Sequence, residues 1–274
     1  MFSALFEYHF LQNAFIAGIF ASIVCGVIGV IIVEKKLIMM SGGIAHTAYG
    51  GVGLGYLLGF EPIIGAFMFA LVSALTIGFL KRKNDTNSDI IIGLLWSLGM
   101  ALGVLFIALM PGYPPDMTSY LFGNILSITR FDLVLMIILT IVVMIVIFSF
   151  FDTWQAYLFD EEFAFITGLK TGILEYVLLS LIALAIVVLI RVVGIILVLA
   201  LLTAPAAIAG LLVKGFKKRM LIATLLGMLF CISGLWFSYE LNIASGASIV
   251  IISVLCYIIV YSINSIKQRR IKVS

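Results

Sequence analysis

The chain has 274 residues, 64% of them hydrophobic and 11% charged, with a mean hydropathy of +1.30; an ordinary soluble domain has about 45–50% apolar and about 25% charged residues. Sixteen Lys and Arg with 13 Asp and Glu are too few to cover a soluble core of this length, which excludes soluble enzymes, nucleic-acid binders and secreted scaffolds together. The net charge of +3 implies no nucleic-acid partner, because the basic residues stand at the ends of apolar segments.

A helix crossing the hydrocarbon of a bilayer needs about 20 mostly apolar residues. Charged breaks divide the chain into about nine such segments, near 13–33, 43–59, 63–80, 90–110, 131–151, 174–191, 194–213, 219–239 and 246–264. The predicted fold class is therefore all-α, a polytopic membrane protein forming one membrane domain over 1–274. The stretch 1–12, with Glu7 and His9, reads as an interfacial lead-in, since no basic n-region or cleavage-site pattern precedes the first span. Residues 117–128 follow the turn-rich Pro111-Gly112-Tyr113-Pro114-Pro115 and are too short to span, so a re-entrant or extracellular helix is expected there. No convincing repeat appears at a fixed period.

Cytoplasmic loops carry the excess of Lys and Arg. With the N-terminus outside and the C-terminus inside, 14 of the 16 basic residues fall on the cytoplasmic face, leaving only Arg130 and Arg191 outside. Cys25, Cys231 and Cys256 lie in apolar runs without a CxxC spacing and read as packing residues.

The second span contains Ser41-Gly42-Gly43-Ile44-Ala45-His46-Thr47. His46 is the most unusual polar position in the chain: a neutral imidazole is a common ligand for first-row metals, and its alternative is a hydrogen bond to a neighbouring helix. Gly51, Gly55 and Gly59 recur at i+4 and predict one bare helix face for close packing. His46 lies about 140° from that face at about 100° per residue, free to face a path. Ser41 and Thr47, and more weakly Glu34, are the other candidate donors.

After the fifth span, Asp160-Glu161-Glu162 opens a short segment that ends near Gly168, as expected of a capped helix. Phe159, Phe163 and Ile166 give it an apolar face with no obvious cover, and three consecutive acids beside an anionic leaflet are unfavourable. A protein partner below the membrane is the better reading. Pro205, among small residues in Leu202-Thr203-Ala204-Pro205-Ala206-Ala207, predicts a kink in a closely packed span.

The P-loop pattern GxxxxGK[ST] is absent, so no Walker motif in this chain binds ATP. The carboxylates all fall at span ends or in loops, which disfavours proton coupling. A membrane-embedded enzyme would need convergent polar residues in mid-membrane, and a single His46 does not supply them. Passive channels, structural subunits and permeases driven by a separate motor remain.

The chain resembles the permease subunits of bacterial and archaeal ABC importers for zinc, manganese or iron. The likeness runs over nearly its whole length, through Gln12-Asn13-Ala14-Phe15 to Gly26-Val27-Ile28-Gly29, Ser41 to His46, Ile92 to Gly103 with Trp96, Tyr120-Leu121-Phe122-Gly123-Asn124, Asp160 to Ala164, Pro205-Ala206-Ala207 and Ser245-Gly246-Ala247. The resemblance implies no enzymatic chemistry on the substrate and no permanently bound cofactor. It implies a transported divalent metal ion, two copies of the permease as a homodimer in the cytoplasmic membrane lipid, two cytoplasmic ABC ATPase subunits, and an extracytoplasmic solute-binding protein. It makes the 158–168 loop the coupling helix for the ATPase and His46 a path ligand. Many members place an aspartate one turn before that histidine, where this chain has Gly42. An ABC permease for a larger ligand, such as haem or a metal chelate, is the alternative.

The orientation is tested by single cysteines labelled from outside with an impermeant reagent. Positions 61 and 116 are expected to react and positions 83 and 268 to stay silent; labelling of 83 and 116 from one face contradicts the topology.

Overall fold

The computed structural model describes residues 9–83, 88–112, 123, 128–241 and 243–273. The expected re-entrant or extracellular helix near 117–128 lies outside the described residues for nearly all its length. Among the described residues eleven helices follow one another: α1 His9–Glu34, α2 Ile38–Leu58, α3 Pro62–Lys83, α4 Ser88–Ala108, α5 Arg130–Ser149, α6 Phe151–Phe159, α7 Glu161–Ile166, α8 Thr171–Val193, α9 Ile195–Leu212, α10 Phe216–Leu241 and α11 Ser245–Val273. No strand occurs among the described residues.

Eight of these helices are long and apolar enough to cross a bilayer. The remaining expected span corresponds to α2, whose 21 residues suffice in length. Its glycines, His46 and Thr47 lower its apolarity, because α2 buries most of its surface against protein rather than lipid. The lead-in differs from expectation: His9 to Gln12 are already helical and belong to α1. Helix α6 was not expected. Its buried Phe151, Trp154, Tyr157 and Leu158 continue the apolar run of the preceding span, while Asp152 and Gln155 mark it as a separate amphipathic segment.

Backbone contacts divide the chain into two compact units, one of residues 1–33, 122–140 and 192–274, the other of residues 34–121 and 141–191. In the first unit α9, α10 and α11 pack on one another. Helix α1 joins them at Gly29, where a β-carbon would collide with the Leu202 carbonyl of α9. Helix α9 runs continuously from Ile195 to Leu212 through the buried Pro205.

In the second unit α2 packs closely on both α3 and α4. A β-carbon at Gly51 would collide with the backbone of Gly65 on α3, and one at Gly55 would fall 2.7 Å from the Pro62 α-carbon. On another face, Gly50 and Gly53 meet the carbonyls of Gly99 and Gly103 on α4. The single bare face expected from the sequence is thus two, serving two neighbours. Gly59 departs from its expected packing role: it ends α2 in a left-handed conformation, φ 74°, where only a residue without a β-carbon is unstrained.

These contacts predict opposite results for two glycine substitutions in the second unit. Gly51→Ala is expected to destabilise the protein by about 1–3 kcal/mol, as overpacking does. Gly93→Ala, which meets open space, should stabilise it by up to about 1 kcal/mol through helix propensity. Thermal unfolding in detergent measures both, and equal effects contradict the packing described.

Candidate functional site

His46 lies on α2 two turns from its start, and its ring stacks on Trp96 of α4, with centroids 4.1 Å apart and planes 11° from parallel. The ring is half-buried, and its Nδ1 is sealed from solvent without a hydrogen-bond partner. Burying a polar nitrogen unpaired carries a desolvation cost. A cation cannot reach the sealed Nδ1 in this conformation, so the half-exposed ring can offer a lone pair only through Nε2, with the proton on Nδ1. Trp96 fixes the ring plane; the sequence showed the tryptophan without indicating which residue it meets.

The other candidate donors are engaged elsewhere. The Ser41 hydroxyl donates to the Ile38 carbonyl at 2.8 Å. The Thr47 hydroxyl donates to the Gly43 carbonyl of its own turn at 2.7 Å and lies 3.2 Å from the Leu95 carbonyl of α4. Thr47 also lies 3.5 Å from the Ser73 hydroxyl of α3. It lines a cavity of about 230 Å³ with Ser73, Thr76, Phe69 and Leu98, whose lining does not include His46. Glu34, at the end of α1, has interactions of its own. Among the described residues no group of three or more His, Cys, Asp or Glu is placed to hold a metal, in keeping with the buried Gly42 one turn before His46.

The acidic loop folds as a short helix. Asp160 caps α7: its carboxylate accepts the Phe163 amide at 2.8 Å, and Glu161 and Glu162 occupy the first turn. Gly168 follows the helix with φ 87°, and the Leu169 amide donates to the Ala164 carbonyl, closing the last turn. The expected apolar stripe needs correction, because Phe159 ends α6 and the extended Asp160 separates it from α7. Phe163, Phe165 and Ile166 are 58%, 69% and 80% exposed. Three large apolar side chains thus stand uncovered on a six-residue helix, with Phe159 exposed beside them across a groove lined by Asp152, Gln155 and Asp160.

Charges close both ends of the second unit. Arg191, at the end of α8, pairs with Glu61, before α3. At the opposite end Lys35 pairs with Glu161, and Glu175, at the start of α8, is held by Arg82 at 2.7 Å and Lys81 at 3.7 Å. Acids that the sequence shows only as span-end residues are therefore partners of the basic residues used for orientation. Buried Tyr157 lies near this second group. Burial, then the Glu175 and Glu161 carboxylates, push its phenol well above the ordinary range and keep it neutral.

Residues 7–264 match the ABC 3 transport family. The membrane protein slr2045 of Synechocystis sp. strain PCC 6803, whose name describes it as uncharacterized, is 44% identical over 253 residues, covering 92% of this chain and 90% of that protein. The manganese transport system membrane protein MntC of Listeria monocytogenes is 36% identical over 257 residues, covering 94% of this chain and 91% of its own length. Among solved structures, PsaBC from Streptococcus pneumoniae in complex with Fab aligns at 32% identity with a TM-score of 0.86, over 95% of this chain and 94% of that one.

Proposed function

The chain belongs to the ABC 3 transport family, a membrane permease of a metal-ion ABC importer, and on that premise we propose that it passes a divalent transition-metal ion, manganese first among zinc, manganese and iron, inward by way of His46. The observation that carries this reading is the half-exposed imidazole of His46, held against Trp96 on the glycine-packed α2. The preference for manganese comes from the name of the Listeria relative.

The chemistry follows from the ligand set. A cation entering a low-dielectric path loses hydration and needs replacement donors. One imidazole per chain is a weak, transient ligand, which suits a path better than a storage site. A second His46 from the homodimeric partner, backbone carbonyls and retained water complete the coordination. Without a carboxylate at position 42, the path holds the ion less tightly than a His/Asp pair would.

The energy comes from a cytoplasmic ABC ATPase that docks on α7 through Phe163, Phe165 and Ile166, with an extracytoplasmic solute-binding protein delivering the ion from the other face. The capping carboxylate of Asp160 holds the helix in shape, and Glu161 and Glu162 supply charge around the apolar contact. In this reading the N-terminus lies outside and the C-terminus in the cytoplasm, as the distribution of basic residues supports. The permease does no chemistry on its cargo.

The test is uptake of radioactive manganese by cells carrying the assembled transporter. His46→Ala is expected to lower uptake by about tenfold or more, the size of effect seen when a metal site loses a supporting interaction, with expression and ATPase retention unchanged. His46→Asp should keep part of the activity. Uptake at the unsubstituted level in a well-expressed His46→Ala variant contradicts the path assignment.

A further inference from the structure

We propose that Lys35 is a positioning residue that ties the α7 helix to the start of α2, so that movement of α7 is delivered to the helix that carries His46. The proposal rests on the reading of α7 as the ATPase-docking helix. Lys35 occupies the turn between α1 and α2, and its Nζ lies 2.9 Å from Glu161 Oε2 in the first turn of α7. The same Nζ stands 3.9 Å from the centroid of the Tyr157 ring. The ammonium is thus held between a carboxylate and an aromatic face, two interactions that strengthen as water is removed. The Lys35 side chain is 15% exposed, whereas Glu161 is 44% exposed. The cation belongs to the packed body and the carboxylate to the element that meets the partner.

The two ends of this link are differently anchored. On one side Tyr157 is buried on α6 beside Trp154, with ring centroids 6.3 Å apart, and the Trp154 indole N–H donates to the Val146 carbonyl at 3.0 Å. On the other side Lys36 has φ 57°, the left-handed conformation that no other non-glycine residue adopts among the described residues. This turn feeds directly into α2, whose first turn is closed by the Ser41 amide on the Leu37 carbonyl at 2.9 Å. From Ile38 to His46 is about two turns of helix, short enough to act as a rigid lever. The Arg82–Glu175 pair, in contrast, fastens α3 to α8. A displacement of α7 therefore reaches α2 through Glu161 and Lys35, and a neutral residue at position 35 breaks the link without removing the docking surface.

The experiment measures manganese moved per ATP hydrolysed, with the full transporter and its ATPase in proteoliposomes, beside ATPase retention on purification. Lys35→Met is expected to keep the ATPase bound but lower the manganese-to-ATP ratio by about three- to fivefold, the scale of a partly exposed ion pair. Lys35→Arg should restore it. If Lys35→Met leaves the ratio unchanged with the ATPase bound, the link is overturned; failure of Lys35→Arg to restore the ratio overturns it equally. Lys35→Gln reads the same link should Lys35→Met not fold. Should Phe163→Ser with Ile166→Ser leave ATPase retention intact, the docking reading itself is overturned, independently of Lys35.

Discussion

Backbone-to-backbone contact at the glycines of α2 is the constraint on which the candidate site depends. A helix with side chains at Gly50, Gly51, Gly53 and Gly55 could not sit as close to α3 and α4 as this one does. That proximity brings Trp96 of α4 into stacking distance of His46 and sets Thr47 against both the Leu95 carbonyl and Ser73. In lipid no hydrophobic effect drives helix onto helix, so close packing and interhelical polar contacts supply the association. The low apolarity of α2 is a consequence of the same packing: most of the helix is enclosed by protein, where a histidine can be held.

Charge handles the ends where glycine handles the middle. Composition confines acids and bases to the ends of spans, and the structure pairs them across those ends, Glu61 with Arg191 and Glu175 with Arg82. Glu175 is buried beneath two exposed basic side chains, so removing one of them would leave a carboxylate partly uncompensated. Lys35 does more than close an end, because its carboxylate partner stands on the helix with the uncovered apolar side chains. Rigid packing in one part of the unit and, at its edge, a more exposed element bearing both acids and uncovered apolar side chains support the proposed docking of a separate ATPase.

Much of this was legible in the residues. The length of apolar runs located the spans, and Asp160 with Gly168 marked the ends of α7 because capping chemistry is local. His46 stood out as a histidine inside an apolar run. What sequence spacing could not show was which faces meet. Trp96 is 50 positions from His46, and a tryptophan in a span has no signature for its stacking partner. Glu161 and Lys35 are 126 positions apart, and Lys35 was readable only as an orienting charge. Helix α6 is not legible in the sequence, because Phe151, Trp154, Tyr157 and Leu158 look like the tail of the preceding span. Gly59 fell into the i+4 series of packing glycines, but a helix end is set by backbone conformation and the series gives no notice of it.

The central claim is that a metal ion on its way through the membrane touches His46. X-ray absorption at the manganese edge tests it directly, on the permease–ATPase complex loaded with manganese in the absence of a solute-binding protein. The account predicts imidazole scattering around the metal that disappears in His46→Ala and survives in Ser41→Ala. An all-oxygen environment in the unsubstituted complex, or imidazole scattering unchanged by His46→Ala, would contradict it.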